Sequence, residues 1–259
     1  FPHPRMVLQK ESQIKLIDTL KEREDFLRKL GVDNLIIHPF SVAFSKLTAL
    51  EFIQNILVKQ LKIDSLYIGY DHRFGRNREA TVEDLKSYGQ QYDFKVNIIS
   101  AQQIATIAVS STKIREAIAL GDFVKVHHFL GRPFQLRGTV TKGEGIGRKL
   151  AFPTANLNVN IPYKIIPPQG VYLVSILLEK GVFYGMMNIG TRPTLSGKNE
   201  SIEIHIFDFN EDLYGKMITV CLYEKIRDER KFDSLEALKT QLIKDKKKCK
   251  RTLTVKGLI

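Results

Sequence analysis

The periodicity of the chain changes once, near residue 131, and the change implies two kinds of fold in succession. Before it, short apolar runs of strand length at 35–37, 66–68 and 96–99 alternate with helical spacing over 13–30, 48–61 and 81–91. Ile14, Ile17, Leu20, Leu27 and Leu30 share one helical face, and Gly31 ends that segment. Thr48 and Glu51 form a capping-box sequence ahead of Phe52, Ile53, Ile56, Leu57 and Leu61. Strands separated by helices predict a parallel sheet, whose ligands lie beyond the carboxyl ends of the strands. After residue 131, strand-like runs at 134–140, 170–178, 183–189, 202–207 and 217–223 follow closely with little helix between them. That spacing predicts a small antiparallel barrel, with turns at 180–181 and 210–212. A last helix is expected over 234–248, with Leu235, Leu238 and Leu242 on one side. The expectation is therefore an α/β domain over 1–130 followed by a β-barrel domain over 131–259, and 259 residues suffice for a core in each.

The barrel half contains the stretch richest in chemistry, GTVTKGEGIGRKLAFPTAN at 138–156. Gly138, Gly143, Gly145 and Gly147 interleave with Lys142, Arg148 and Lys149. Glycines let backbone N–H groups approach an anion, and the cations add charge. Thr154 and Asn156 flank one alanine, so on an extended chain both project from the same side. Two neutral oxygen donors beside a phosphate loop suit Mg²⁺, which keeps waters and takes few protein ligands. Spacing alone equally allows a glycine-rich hairpin loop followed by an edge-strand proline. At 201–207, isoleucines alternate with Glu203, His205 and Phe207, which sends Glu203 and His205 to one face of a strand. That face meets either water or a ligand at the barrel mouth.

In the first half the polar loops fall where a parallel sheet would bind. Gly69-Tyr70-Asp71-His72-Arg73-Phe74-Gly75 follows one strand, and Ser110-Ser111-Thr112-Lys113-Ile114-Arg115 opens a helix that stops at Gly121. Hydroxyls and cations in the first turns of a helix make either an anion site or an ordinary serine cap.

No apolar run approaches the roughly 20 residues that cross a bilayer, so no membrane association is expected. Cys221 and Cys249 have neither metal-site spacing nor the company of a disulfide framework, which points to a reducing, cytoplasmic setting. The net charge of +12 favours polyanionic ligands, and seven of the basic residues lie within 244–256 with Asp245 as the one acid. A nucleic-acid-binding barrel is the alternative from another class. Against it, the aromatic residues do not cluster with those lysines.

GRPFQLRGTV, the glycine loop and FPTANL together resemble the bacterial bifunctional riboflavin kinase/FMN adenylyltransferases, and the resemblance runs through essentially the whole chain. It implies a Rossmann-like nucleotidyltransferase domain ahead of a riboflavin kinase barrel, with ATP as cosubstrate and riboflavin, FMN and FAD as substrates and products. A kinase without the second activity is the alternative within the enzyme class. In the kinase half it implies Glu203 as catalytic base and Thr154 with Asn156 at Mg²⁺. It puts Gly138, Lys142, Gly143, Gly145, Gly147 and Lys149 at the ATP phosphates, and Arg227 and Lys231, within KIRDERKFDSLEAL, at the flavin. NIGTRPT at 188–194 also matches a family segment. In the other half GYDHRFG and VSSTKIR resemble family motifs, which implies Asp71, Phe74, Ser110, Ser111, Thr112 and Arg115 as nucleotide-binding. His72 stands where the family often has phenylalanine. The family's HxGH signature precedes a segment matching Pro2-His3-Pro4, where this chain starts. The expectation is that an N-terminal portion is omitted, and that FAD formation without it is slight.

Overall fold

A computed structural model describes residues 1–9, 12–100, 103–104, 107–143, 145–194 and 197–258. The chain divides into two compact units, one of residues 1–14 and 24–109, the other of residues 15–23 and 110–259.

The first unit opens with helix α1 (Pro4–Leu8). Helix α2 (Leu20–Lys29) begins six residues after Ile14, which the apolar spacing had placed inside it. The start is fixed by a reciprocal cap: Thr19 N–H donates to Glu22 Oε2 at 2.7 Å, and Glu22 N–H to Thr19 Oγ1 at 3.1 Å. After α3 (Val42–Ser45), the expected capping box at Thr48 and Glu51 starts α4 (Ala49–Phe52). That helix runs on in π geometry over Ile53–Gln60, and Ile53 and Leu57 are buried. Strand β1 (Ser65–Gly69) pairs in parallel with β2 (Lys95–Ile99), and α5 (Val82–Tyr92) crosses between them. Ile53, Leu57, Leu85 and Phe94 form the core of this layer. The apolar run at 35–37 forms no strand: its side chains are exposed and no described strand pairs with it. Two short strands, β3 (Gln103–Ile104) and β4 (Ile107–Ala108), pair with each other.

In the second unit, Ser110 caps α6 (Ser111–Ala119) and Asp122 caps α7 (Phe123–Leu130), each accepting from a backbone N–H three residues on. Six antiparallel strands then close into a barrel in the order β10-β5-β6-β9-β8-β7. They are β5 (Phe134–Thr141), β6 (Ala155–Asn158), β7 (Gly170–Leu178), β8 (Gly181–Thr194), β9 (Gly197–Ile206) and β10 (Met217–Arg227). The turn at 180–181 joins the paired β7 and β8. The one expected at 210–212 is no hairpin, because β5 and β6 stand between β9 and β10 in the closed order. Short α8 (Ile146–Lys149) lies in the glycine loop. Strand β10 extends four residues past its expected end, through irregularities at Leu222/Glu224 and Lys225/Arg227 that turn its last residues. Helix α9 (Leu235–Val255), capped by Ser234, outruns its expected end at 248. The lysine-rich stretch continues as helix because Cys249 and Leu253 pack with Val171, Leu173, Met186 and Ile226.

Candidate active site

Strand β9 supplies the centre of the site. Ile202, Ile204 and Ile206 are buried as one face of the strand, and the alternation sends Glu203 and His205 to the other. Pairing of β6 with β9 sets Asn156 opposite Glu203 and Ala155 opposite Ile204. The corner that precedes β6 is held from the same strand. Thr154 Oγ1 donates to Glu203 Oε2 at 3.2 Å, and His205 Nδ1 lies 2.9 Å from the Pro153 carbonyl. A carbonyl oxygen only accepts, so Nδ1 carries the imidazole proton. Burial holds His205 below the usual histidine range, and its Nε2 has no hydrogen-bond partner among the described residues.

Thr154 lines two cavities. One, of about 450 Å³, has polar walls at Gly145, Gly147, Asn156, Asn188 and Glu203 and apolar walls at Leu150, Phe152, Val171, Met186, Leu238 and Leu242. Its rim is built by Arg227, Glu229, Arg230 and Phe232, where β10 gives way to the loop before α9. The other, of about 440 Å³, is lined by Arg148, Pro153, Phe209, Asn210, Asp212 and Tyr214 among others. Two glycines of the loop make close approaches. A Cβ at Gly143 would stand 2.7 Å from Asn156 Cγ, and one at Gly147 would collide with the Phe152 carbonyl.

The structure thus brings together Gly145, Gly147, Thr154, Asn156, Glu203 and Arg227 around one cavity. Gly138 is buried in the barrel wall, where a Cβ would strike the backbone of Asn158. Gly143 packs against the Asn156 side chain, while Lys142 and Lys149 are exposed and line neither cavity. Lys231 is also exposed and outside the lining, whereas its neighbours Arg230 and Phe232 are part of it. Of the segment 188–194, Asn188 and Thr191 reach the cavity, and the side chains of 192–194 lie outside the described residues. Sequence reasoning also missed His205, which shares the legible face of β9 with Glu203.

Asp71 and Phe74 belong to the first unit, in the loop after β1, and Phe74 packs on Phe52 and His72. Ser110, Ser111, Thr112 and Arg115 belong to the second. Ser110 accepts from Lys113 N–H at 3.3 Å, Ser111 and Thr112 are exposed in the first turn of α6, and Arg115 Nε donates to the Lys15 carbonyl at 2.9 Å.

Among the described residues no three His, Cys, Asp or Glu side chains form a group that could hold a metal, and no helix is long and apolar enough to cross a membrane. Residues 130–253 match the riboflavin kinase family and residues 1–113 the FAD synthetase family. The bifunctional riboflavin kinase/FMN adenylyltransferase of Escherichia coli K12 is 36% identical over 245 residues, covering 94% of this chain and 78% of that protein. Its counterpart in Buchnera aphidicola (subsp. Schizaphis graminum) is 38% identical over 250 residues, covering 94% and 79%. A crystal structure described as a macrolide-efflux protein from Streptococcus pneumoniae matches with a TM-score of 0.86 at 34% identity, over 95% of this chain and 79% of that one. The chain belongs to the bifunctional riboflavin kinase/FMN adenylyltransferase family.

Proposed function

We propose that the apolar-walled cavity takes riboflavin, that the second cavity takes the nucleoside of ATP, and that the γ-phosphoryl group passes to the riboflavin 5′-hydroxyl at the wall they share. The observation that carries this reading is the Thr154–Glu203 contact. Thr154 lines both cavities, and the carboxylate beside it lines only the apolar-walled one. Riboflavin is a largely apolar plate with a hydroxylated chain, and the first cavity offers apolar walls that end at Asn156 and Glu203.

Glu203 orients the hydroxyl and accepts its proton as the new O–P bond forms and the bond from the γ-phosphorus to the bridging oxygen breaks, releasing ADP. In a loose transition state little proton transfer precedes bond making, so positioning and charge neutralisation supply most of the acceleration. The backbone of Gly145 and Gly147 is open to polyphosphate, and Lys142 and Lys149 add charge from the loop.

The donor set fits Mg²⁺. Thr154 and Asn156 offer neutral oxygens next to a carboxylate, and Gly143 leaves space for the Asn156 amide that any side chain would fill. Among the described residues the protein donors are too few for a closed cage, which would suit Mg²⁺, an ion that keeps waters. When bound, the ion neutralises charge on the polyphosphate. His205 keeps Pro153, and with it the Thr154 corner, against β9.

Kinase chemistry is assigned to the barrel domain, 131–259, and adenylylation of FMN to the α/β domain, 1–130. For the second reaction Asp71 and Phe74 are proposed nucleotide and flavin contacts on the first unit, and Ser110, Ser111, Thr112 and Arg115 proposed phosphate contacts on the second. The exposed hydroxyls in the first turn of α6 support that assignment. The basic surplus serves nucleotide substrates rather than nucleic acid, and two cysteines outside any disulfide accord with a cytoplasmic setting.

The test is incubation with riboflavin, ATP and Mg²⁺ followed by chromatographic separation of flavins. FMN is expected, and it should not form when ATP is omitted. Tight, salt-sensitive binding of single-stranded oligonucleotide without FMN formation would overturn the reading.

A further inference from the structure

Asp245 is the acid within the basic run at 244–256, and it is buried, with only 2% of its surface exposed. An acid in such a run ordinarily faces solvent between lysines. Here it faces Arg227 at the end of β10: Nε and Nη2 of the guanidinium each lie 2.9 Å from Oδ2. One turn earlier on α9, Gln241 Nε2 donates to Asp245 Oδ1 at 2.7 Å, while Gln241 Oε1 accepts from Arg230 Nη2. Both arginines also approach Phe232, with guanidinium carbons 5.7 Å (Arg227) and 4.8 Å (Arg230) from its ring centroid. Three of the four cavity-rim residues, Arg227, Arg230 and Phe232, are thereby tied to one face of α9, whose Leu238 and Leu242 line the same cavity.

The chemistry of the tie bears on what the rim recognises. A guanidinium has five N–H donors in a fixed fork. Asp245 engages Arg227 through Nε and Nη2, and Nη1 donates to the Asp228 carbonyl at 2.9 Å. The fork retains further N–H groups at the rim, and its charge is balanced by a buried carboxylate. A balanced guanidinium suits an uncharged ring that presents carbonyl acceptors, whereas an unbalanced one would favour an anion.

The geometry points to Asp245 and Gln241 as positioning residues for flavin recognition: from the C-terminal helix they fix the Arg227 and Arg230 forks and the Phe232 ring against the carbonyl-bearing end of an uncharged flavin. This rests on the assignment of riboflavin to the apolar-walled cavity. It gives the C-terminal helix a part in substrate selection that the solvated appearance of its sequence conceals.

Riboflavin binding, followed by quenching of flavin fluorescence, and ADP binding, followed by calorimetry, separate the possibilities. Asp245→Asn should weaken riboflavin by about tenfold, and Gln241→Leu by about threefold, as expected for losing a charged and a neutral hydrogen bond respectively. ADP affinity should stay within about twofold in both, since neither residue lines the second cavity. A purely structural role would weaken both ligands together. Equal weakening of riboflavin and ADP, or unchanged riboflavin binding in a folded variant, overturns the inference. If circular dichroism shows Asp245→Asn unfolded, Gln241→Leu decides by the same criteria. Leu238→Trp, which fills the cavity, tests the underlying assignment. Should it leave riboflavin binding intact, the assignment falls and the inference with it; should it abolish binding while Asp245→Asn has no effect, only the positioning role is lost.

Discussion

Thr154 and Glu203 are 49 positions apart in sequence and 3.2 Å apart in space, and the reactivity assigned to the site depends on that pair. In the role of general base proposed for it, Glu203 would act mainly on kcat. Glu203→Gln keeps the shape and removes the proton acceptor, so kcat should fall about 10²–10⁴-fold. ATP affinity, measured by equilibrium binding, should be nearly intact. A loss of less than about tenfold would mean that the carboxylate does not take the proton. Asn156 is assigned to the proposed metal instead. Asn156→Ala should shift the Mg²⁺ dependence of the rate to higher concentration, with kcat largely recovered at saturating metal. An unchanged metal titration would remove Asn156 from the ion's ligands.

At the scale of elements, α9 is held by its buried face, and Cys249 on that face reports on docking. Burial pushes the Cys249 thiol up to about 12, so little thiolate exists near neutral pH and the native chain should resist alkylation there. Leu253→Ala on the same face should cost about 2–5 kcal/mol in urea denaturation and expose Cys249 to iodoacetamide. Unchanged labelling would show that the helix stays docked without Leu253. What the sequence made legible follows from the range of each interaction. The capping box at Thr48, the β1 and β2 runs, the closed barrel and the Glu203 face of β9 are encoded within a few residues. The equivalent box at Thr19 and Glu22 was hidden because Ile14 and Ile17 continue the apolar spacing ahead of it. The run at 35–37 has strand composition but no partner, and composition does not supply one. Arg230 and Phe232 join the site because β10 is irregular between Leu222 and Arg227, which no local pattern announces. Asp245 looked solvated because its partner, Arg227, is 18 residues away.

For the whole molecule, the consequential finding is that residues 15–23 belong with the barrel. Lys164 is fully buried, and its ammonium donates to Glu22 Oε2 at 2.7 Å and to the Ile17 carbonyl at 2.6 Å. It also lies 4.5 Å from the centroid of the Phe134 ring, inside the barrel's unit. Asp18 meets Arg132 at 2.5 Å close by. Burial draws the Lys164 ammonium below the usual lysine range, and the Glu22 carboxylate opposes that shift. A buried pair of this kind adds little over an apolar pair of the same volume, yet removing one partner strands the other charge. Glu22→Ala should therefore destabilise the barrel by about 3–5 kcal/mol, and Lys164→Met in the same chain should recover most of that loss. The same asymmetry extends to a fragment that begins at residue 131, which would keep Lys164 and lose Glu22 and Asp18. Its kinase activity should decay faster on heating than that of the whole chain, and Lys164→Met should narrow the difference. Equal thermal inactivation of fragment and whole chain would mean that the barrel holds Lys164 without help from the first 23 residues.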